Sequence, residues 1–443
     1  MNSLRIRLGC PRLVLTAGSG SRERIFGLLV SMILLLANLS TPLSIVGRKI
    51  TASEVLILVA IAVILPKLKL RFGHTLLYLV AISVPVFSML MSLDAQESTK
   101  SLLSFLLYSL FTFVAFEFSI DNAEIRKRIL DSFLLAVLIL AGFAILQFVL
   151  VMIFGSHPRI IYPFGDNTWH IQRQLLIRWR ANSLYYEPNI FGMVAAFGLF
   201  LGLKVGKSKT WCALVSAGIL ITLATTTYFL VVVAVLSQVF LSGSLHGSGK
   251  KSRAIIVIFI AALLFIFLSA SLNEFLDLTK GIPVFSRINE IRTPGTSGFY
   301  RLIMPPAVAL ITISEHPFGI GIGMIDKYLS SHPPEAALYY LQKGSSGYGA
   351  TVDNILMGWM ISFGVFGFFY FLSFIYFIVV IIFRLSVGIG IALLFFSLGT
   401  GAFLSVEFWT LLLVSLVLLA ESKEWANATM NRKGGASNKG TAL

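Results

Sequence analysis

An all-α, polytopic transmembrane helical bundle of about 12 spans, with one large external loop containing short helices, is the fold class this sequence predicts. Three observations carry that expectation. The chain is 57% hydrophobic and only 12% charged. Its mean hydropathy is +0.87, and a soluble protein of 443 residues has no core large enough to hide that much apolar side chain. Charge-free intervals of bilayer-spanning length recur along the chain, and lysine and arginine concentrate in alternate connections.

A spanning helix needs about 20 apolar residues, with a range of about 17–25. Such intervals run from Arg24 to Arg48, His74 to Asp94, Lys100 to Glu117, Asp131 to His157, Glu187 to Lys204, and Arg253 to Glu274. A shorter one, Val55 to Pro66, has Glu54 at its edge. Thr210 to Leu245 holds 36 residues, about 54 Å of helix against a hydrocarbon core of about 30 Å, so it must be two helices. The turn is expected near Thr225-Thr226-Thr227. Downstream, Asn354–Phe383 reads as one long span, Leu385–Val406 as another and Phe408–Ala420 as a short last one.

Positive charge orients the bundle. With the N-terminus inside, 22 of the 35 lysines and arginines fall in cytoplasmic segments, most of them short loops. The resulting organisation is a basic cytoplasmic N-terminus (1–24), then nine spans over 25–273 with an external loop at 157–182. A large external loop (274–353), three further spans (354–422) and a cytoplasmic tail (423–443) complete it. The formal charge of +15 is thus membrane orientation, and no nucleic-acid partner is expected. The N-terminus through Arg24 is rich in arginine, as transit peptides are, but no cleavage pattern follows, so a retained tail is expected. Cys10 and Cys212, one in the basic tail and one in an apolar span, exclude a disulfide framework.

Chemistry concentrates in the two external segments. Their arginines outnumber lysines seven to three, whereas the cytoplasmic set is evenly divided. Guanidinium is favoured where planar, bidentate contact with phosphate is needed. Arg178, Arg180, Glu187, Pro188 and Asn189 fall within a dozen residues at the start of one span. Glu187 complements a helix N-terminus there, or orients a sugar hydroxyl beside phosphate-holding arginines. Arg301 precedes Pro305-Pro306, which suits the start of a short helix running to Ser314, and a turn Pro317-Phe318-Gly319-Ile320-Gly321-Ile322-Gly323 follows. Such a turn brings backbone N–H groups close to an anion. The external histidines lack ligand spacing and no Asp-x-Asp occurs, so neither a metal nor a nucleotide-sugar donor is expected.

In their order these parts resemble the Wzy-type polysaccharide polymerases and the related O-antigen ligases. The resemblance rests on Arg180 with Glu187-Pro188-Asn189, on Arg301 with Pro317-Phe318-Gly319-Ile320-Gly321, and on Asp353-Asn354 ahead of Gly364-Val365-Phe366-Gly367. Thr225-Thr226-Thr227-Tyr228 resembles the Ser/Thr-rich break between neighbouring spans. The resemblance implies a multi-pass protein of the bacterial inner membrane, both termini cytoplasmic, with a periplasmic site. There it would join undecaprenyl-pyrophosphate-linked oligosaccharide repeat units without cofactor or metal, in the synthesis of an exopolysaccharide or of lipopolysaccharide. Arg180, Glu187 and Arg301 would be catalytic; Arg178, Asn189, Gly319, Gly321, Asp353 and Asn354 would bind substrate. Membrane lipid, a chain-length regulator and a flippase are the implied partners. Where ligases carry a histidine before the late asparagine, this chain has Asp353, which favours a polymerase. A flippase for the same lipid-linked sugars is the alternative of another class, but it should carry charges inside its spans and show related halves.

Overall fold

The charge-free intervals fold predominantly as helices. The computed structural model describes residues 21–37, 40–45, 48–154, 181, 183–185, 188–222, 224–244, 304–331, 352, 354–400 and 403–437. Helix α1 (Ser21–Leu35) ends well before Arg48, so the first expected span is a shorter helix followed by a two-stranded antiparallel hairpin. In it β1 (Ser40–Ile45) pairs β2 (Arg48–Thr51) in the register Ser44 to Lys49 and Ile45 to Arg48. The register slips between Ser40 and Ser44, the stretch that holds Pro42, which has no N–H to give a ladder. Thr51 then caps α2 (Ala52–Ile64): its hydroxyl accepts from the Glu54 N–H, and its own N–H donates to the Glu54 carboxylate at 2.8 Å. The other oxygen of Glu54 takes the Tyr108 hydroxyl at 3.0 Å, so this carboxylate is buried between helices.

The remaining elements are α3 (Phe72–Leu90), α4 (Ala95–Ile120), α5 (Ala123–Phe154), α6 (Pro188–Val205), α7 (Lys209–Leu220) and α8 (Thr225–Ser244), then α9 (Met304–Glu315) and α10 (Ile325–Ser331), both in the interval 274–353 expected to be the large loop. They are followed by α11 (Ile355–Phe363), α12 (Val365–Arg384), α13 (Val387–Gly399) and α14 (Val406–Ser437). Among the described residues, α3, α4, α5, α6 and α12 have the length and apolarity to cross a membrane, while α7, α8 and α13 hold shorter apolar helical stretches. The interval Arg253–Glu274 lies outside the described residues.

Two breaks are informative. The interval Thr210–Leu245 holds two helices, α7 ending at Leu220 and α8 starting at Thr225, the first of the threonine triplet. The Thr222 hydroxyl donates to the Ile219 carbonyl at 2.7 Å and accepts from the Ala224 N–H, and Tyr228 donates to the Leu220 carbonyl. Those bonds occupy carbonyls that α7 leaves open at its end. Asn354–Phe383, expected as one span, is instead broken at Gly364, where φ is +60°.

Helices meet where side chains are small, as close packing without a hydrophobic drive requires. α5 packs on α1, α6, α7 and α14. A Cβ on Gly198 would lie 2.7 Å from Val137, and one on Gly218 would lie 2.8 Å from Ala141. At the other end of α4, the buried guanidinium of Arg126 donates to the Ser119 and Ile120 carbonyls and, at 2.8 Å, to Glu421 of α14. A cation over a helix C-terminus is favoured by the helix dipole, and here it also ties α4, α5 and α14 together.

Candidate functional site

The glycine-rich turn after α9 is a strap drawn across the ends of α3 and α11. Ile320 N–H donates to the Ile361 carbonyl and Gly321 N–H to the Ser362 carbonyl, both at 3.2 Å, while Val365 N–H donates to the Pro317 carbonyl at 2.9 Å. From the other side Leu93 N–H and the Ser92 hydroxyl both reach the Ile320 carbonyl, and the Ser88 hydroxyl donates to the Ser362 carbonyl at 2.7 Å. Gly319 and Gly321 have φ of +83° and +104°, and a Cβ on them would strike the Ser362 carbonyl and the Ser92 side chain respectively. The N–H groups of Gly319, Ile320, Gly321 and Met324 are all given to backbone carbonyls. The turn therefore uses its glycines for close approach to α3 and α11, and those four amides are committed within the protein.

α10 fastens the same unit a second time. Lys327 pairs with Asp94, the N-cap of α4, whose carboxyl that hydrogen bond holds below its usual pKa. Tyr328 donates to Glu315 at 2.6 Å and its ring meets His316 edge to face. Burial first, and the Glu315 bond second, push the Tyr328 phenol from 10.0 up to about 12. A raised pKa stabilises the fold fully below the unfolded value of about 10, and that stability is lost as pH climbs through the folded one. The stability of the fold, read by denaturant unfolding, is thus expected to fall between about pH 10 and about 12. Tyr328→Phe should make that fall smaller; the same pH dependence in wild type and variant would refute the assignment.

The second group of residues lies where helix starts converge. Ser183, with φ +58°, is held on α5 by three bonds: its N–H to Gln147 at 2.9 Å, its carbonyl from Gln147 at 2.8 Å, and its hydroxyl to the Leu140 carbonyl at 2.7 Å. This fixes the chain entering α6, whose first residue is Pro188, a favoured first helical position. Asn189 follows, 6% exposed, with neither side-chain polar atom hydrogen-bonded; its Nδ2 lies 3.9 Å from a Cβ built on Gly399, the end of α13. One turn along, Gly192 faces the Thr227 side chain at the start of α8. Thr227 is fully buried and its hydroxyl is likewise without a partner. Tyr185 stacks on Phe191 and feels the charge of Glu407, a buried carboxylate in the first turn of α14 that accepts from Ser405. α11 joins the assembly through Gly358, where an added Cβ would lie 3.3 Å from Phe403, and through Trp359 against Phe408.

Four helix starts, those of α6, α8, α11 and α14, thus gather at one end of the bundle beside the end of α13. Their first-turn N–H groups carry partial positive charge, which suits an anion. Asn354 belongs to this set as a cap: its Oδ1 accepts from the Leu356 and Met357 N–H groups at 3.1 Å.

Of the residues picked from sequence, the structure places Asn189 and Asn354 at this polar end and Gly319 and Gly321 in the strap. Arg178, Arg180, Glu187, Arg301 and Asp353 lie outside the described residues. Sequence reasoning missed Tyr185, Thr227 and Glu407 as members of a site. Glu407 carried a usable signal: it interrupts an otherwise acid-free stretch between Asp353 and Glu421, and an ionisable group within an apolar run is a functional candidate. Among curated proteins none matches the chain. Residues 25–422, which include every helix start gathered here, match the family described as WcaD colanic acid polymerase, and the chain belongs to that family of polysaccharide polymerases.

Proposed function

We propose that this membrane protein joins oligosaccharide repeat units carried on undecaprenyl pyrophosphate, at the periplasmic face of the bacterial inner membrane. The observation that carries the reading is the family match together with four helix starts converging on buried Asn189, Thr227 and Glu407. In the reaction an acceptor hydroxyl oxygen bonds to the anomeric carbon of the donor sugar. The bond from that carbon to phosphate breaks, and the polyprenyl pyrophosphate leaves with the electron pair. Glu187 takes the hydroxyl proton. The leaving group is already anionic, so fixed cations suffice to stabilise it, and Arg180 and Arg301 supply them with Arg178 alongside. Asn189, Asp353 and Asn354 hold sugar, while Gly319 and Gly321 serve by letting the strap seat against α11. A flippase delivers the units and a chain-length regulator meets the growing product.

The test is reconstitution of the purified chain in lipid vesicles with the polyprenyl-pyrophosphate-linked unit. Polymer still attached to lipid is expected, and its formation should persist in EDTA. Abolition by EDTA with recovery in magnesium or manganese would overturn metal independence. Transfer of the glycan only to a non-identical lipid acceptor would make the protein a ligase, and translocation without bond formation would make it a flippase.

A further inference from the structure

Buried polar atoms without partners cost stability, so each calls for an explanation. Asn189 and Thr227 are such a pair, on facing turns of α6 and α8. Leucine and valine have nearly the same shapes and would fill both places without the penalty. The Glu407 carboxylate, 5% exposed, lies on the neighbouring helix start and faces Tyr185 on the approach to α6.

We infer that the seam between the starts of α6, α8 and α14 and the end of α13 is a sugar subsite. Asn189 and Thr227 hydrogen-bond the hydroxyl edge of one ring of the oligosaccharide, and Glu407 accepts from one of its hydroxyls. The chemistry fits a neutral polyol. A carboxamide offers a donor and an acceptor side by side, matching adjacent ring hydroxyls; a threonine hydroxyl serves as either. A carboxyl oxygen of Glu407 accepts from a sugar hydroxyl in either protonation state, and the protonated group also donates to one. In the structure the seam is closed around these side chains, and the Met193 side chain lies 3.2 Å from a Cβ built on Gly399, so the ring enters only as the start of α6 and Met193 draw away from the end of α13. The inference rests on the proposed function and deepens it, assigning Thr227 and Glu407 roles that the polymerase reading alone does not require.

The experiment uses the full chain in detergent and, as probe, the lipid-free oligosaccharide released by mild acid from the native polyprenyl-linked unit. Binding is followed by ligand-observed NMR, and thermal melting is measured on the same samples. Thr227→Val is expected to weaken binding about tenfold, the equivalent of one lost hydrogen bond, and Asn189→Leu by more. Both variants should melt no lower than the wild type, because each loses an orphaned polar group. That opposition of binding and stability is what a merely structural pair would not give. Unchanged binding in both variants, a lower melting temperature in both, or no binding by the wild type would each overturn the subsite. Polymer formation by the wild type is scored in parallel. Polymer with variant-insensitive binding leaves the polymerase reading standing and removes the subsite; variant-sensitive binding without polymer does the reverse.

Discussion

Arg301→Ala, inserted at wild-type level in a cell lacking the native protein, is expected to lose about 10²–10³ of the polymerisation rate, about 3–4 kcal/mol of transition-state stabilisation. The reason is where the chain places rigidity. Arg301 stands three residues before α9 in the sequence, and the described segment that follows α9 is anchored: the strap on α3 and α11, and α10 on Asp94 and Glu315. A charge that stabilises a departing pyrophosphate is worth most when it is held in place before the reaction, because it then costs no reorganisation. Arg301→Lys should recover only part of the rate, since an ammonium lacks the guanidinium fork that grips two phosphate oxygens at once. The measurements are polymer length in cells and turnover in vesicles. Full-length polymer from a correctly inserted Arg301→Ala would make Arg301 a lipid anchor, and the catalytic assignment would fall.

What could be read beforehand followed from constraints that are local in sequence. The bilayer demands charge-free runs, so α3, α4, α5 and α6 were visible as intervals between charges. The division of Thr210–Leu245 came from length alone, and Thr222 and Tyr228 turn out to supply the bonds that end α7. Asn354 at the head of an apolar run is an N-cap signal as well as part of a resemblance. The break at Gly364 could not be read, because its cause lies elsewhere: the Pro317 carbonyl and the Gly319 N–H occupy the space a side chain would need. A glycine in an apolar run looks the same whether it eases helix packing, as Gly198 does against Val137, or ends a helix. The polar end was half visible. Asn189 was picked for its neighbours, while Glu407 served only to mark where one span stopped and the next began. Its company with Tyr185 depends on folding that brings position 407 beside position 185.

Gly319→Ala should be the most damaging single methyl in the described residues of the strap, and a glycine series separates its two costs. The first is conformational: φ of +83° is the left-handed region, which disfavours a Cβ by about 1–2 kcal/mol. The second is steric. The added methyl would drive into the Ser362 carbonyl and the Gly364 N–H, backbone atoms that have nowhere to yield because Ser88 and Gly321 hold that carbonyl from other sides. Gly206 isolates the first cost, since its φ is +75° and nothing lies within 4 Å of its Cβ position. Gly142, inside α5 with the same open space and helical backbone, carries neither. We expect Gly142→Ala to be neutral or slightly stabilising and Gly206→Ala to cost about 1 kcal/mol. Gly319→Ala should cost at least about 3 kcal/mol, the sum of strain and overpacking. Thermal melting in detergent ranks the three. In Gly319→Ala, amide exchange should rise in the strap and at the C-terminal end of α11 while α5 stays protected, because the lost contacts join those two elements. Equal melting of the Gly319 and Gly206 variants would show that the strap is not seated against Ser362 and that this contact does not anchor the chain following α9.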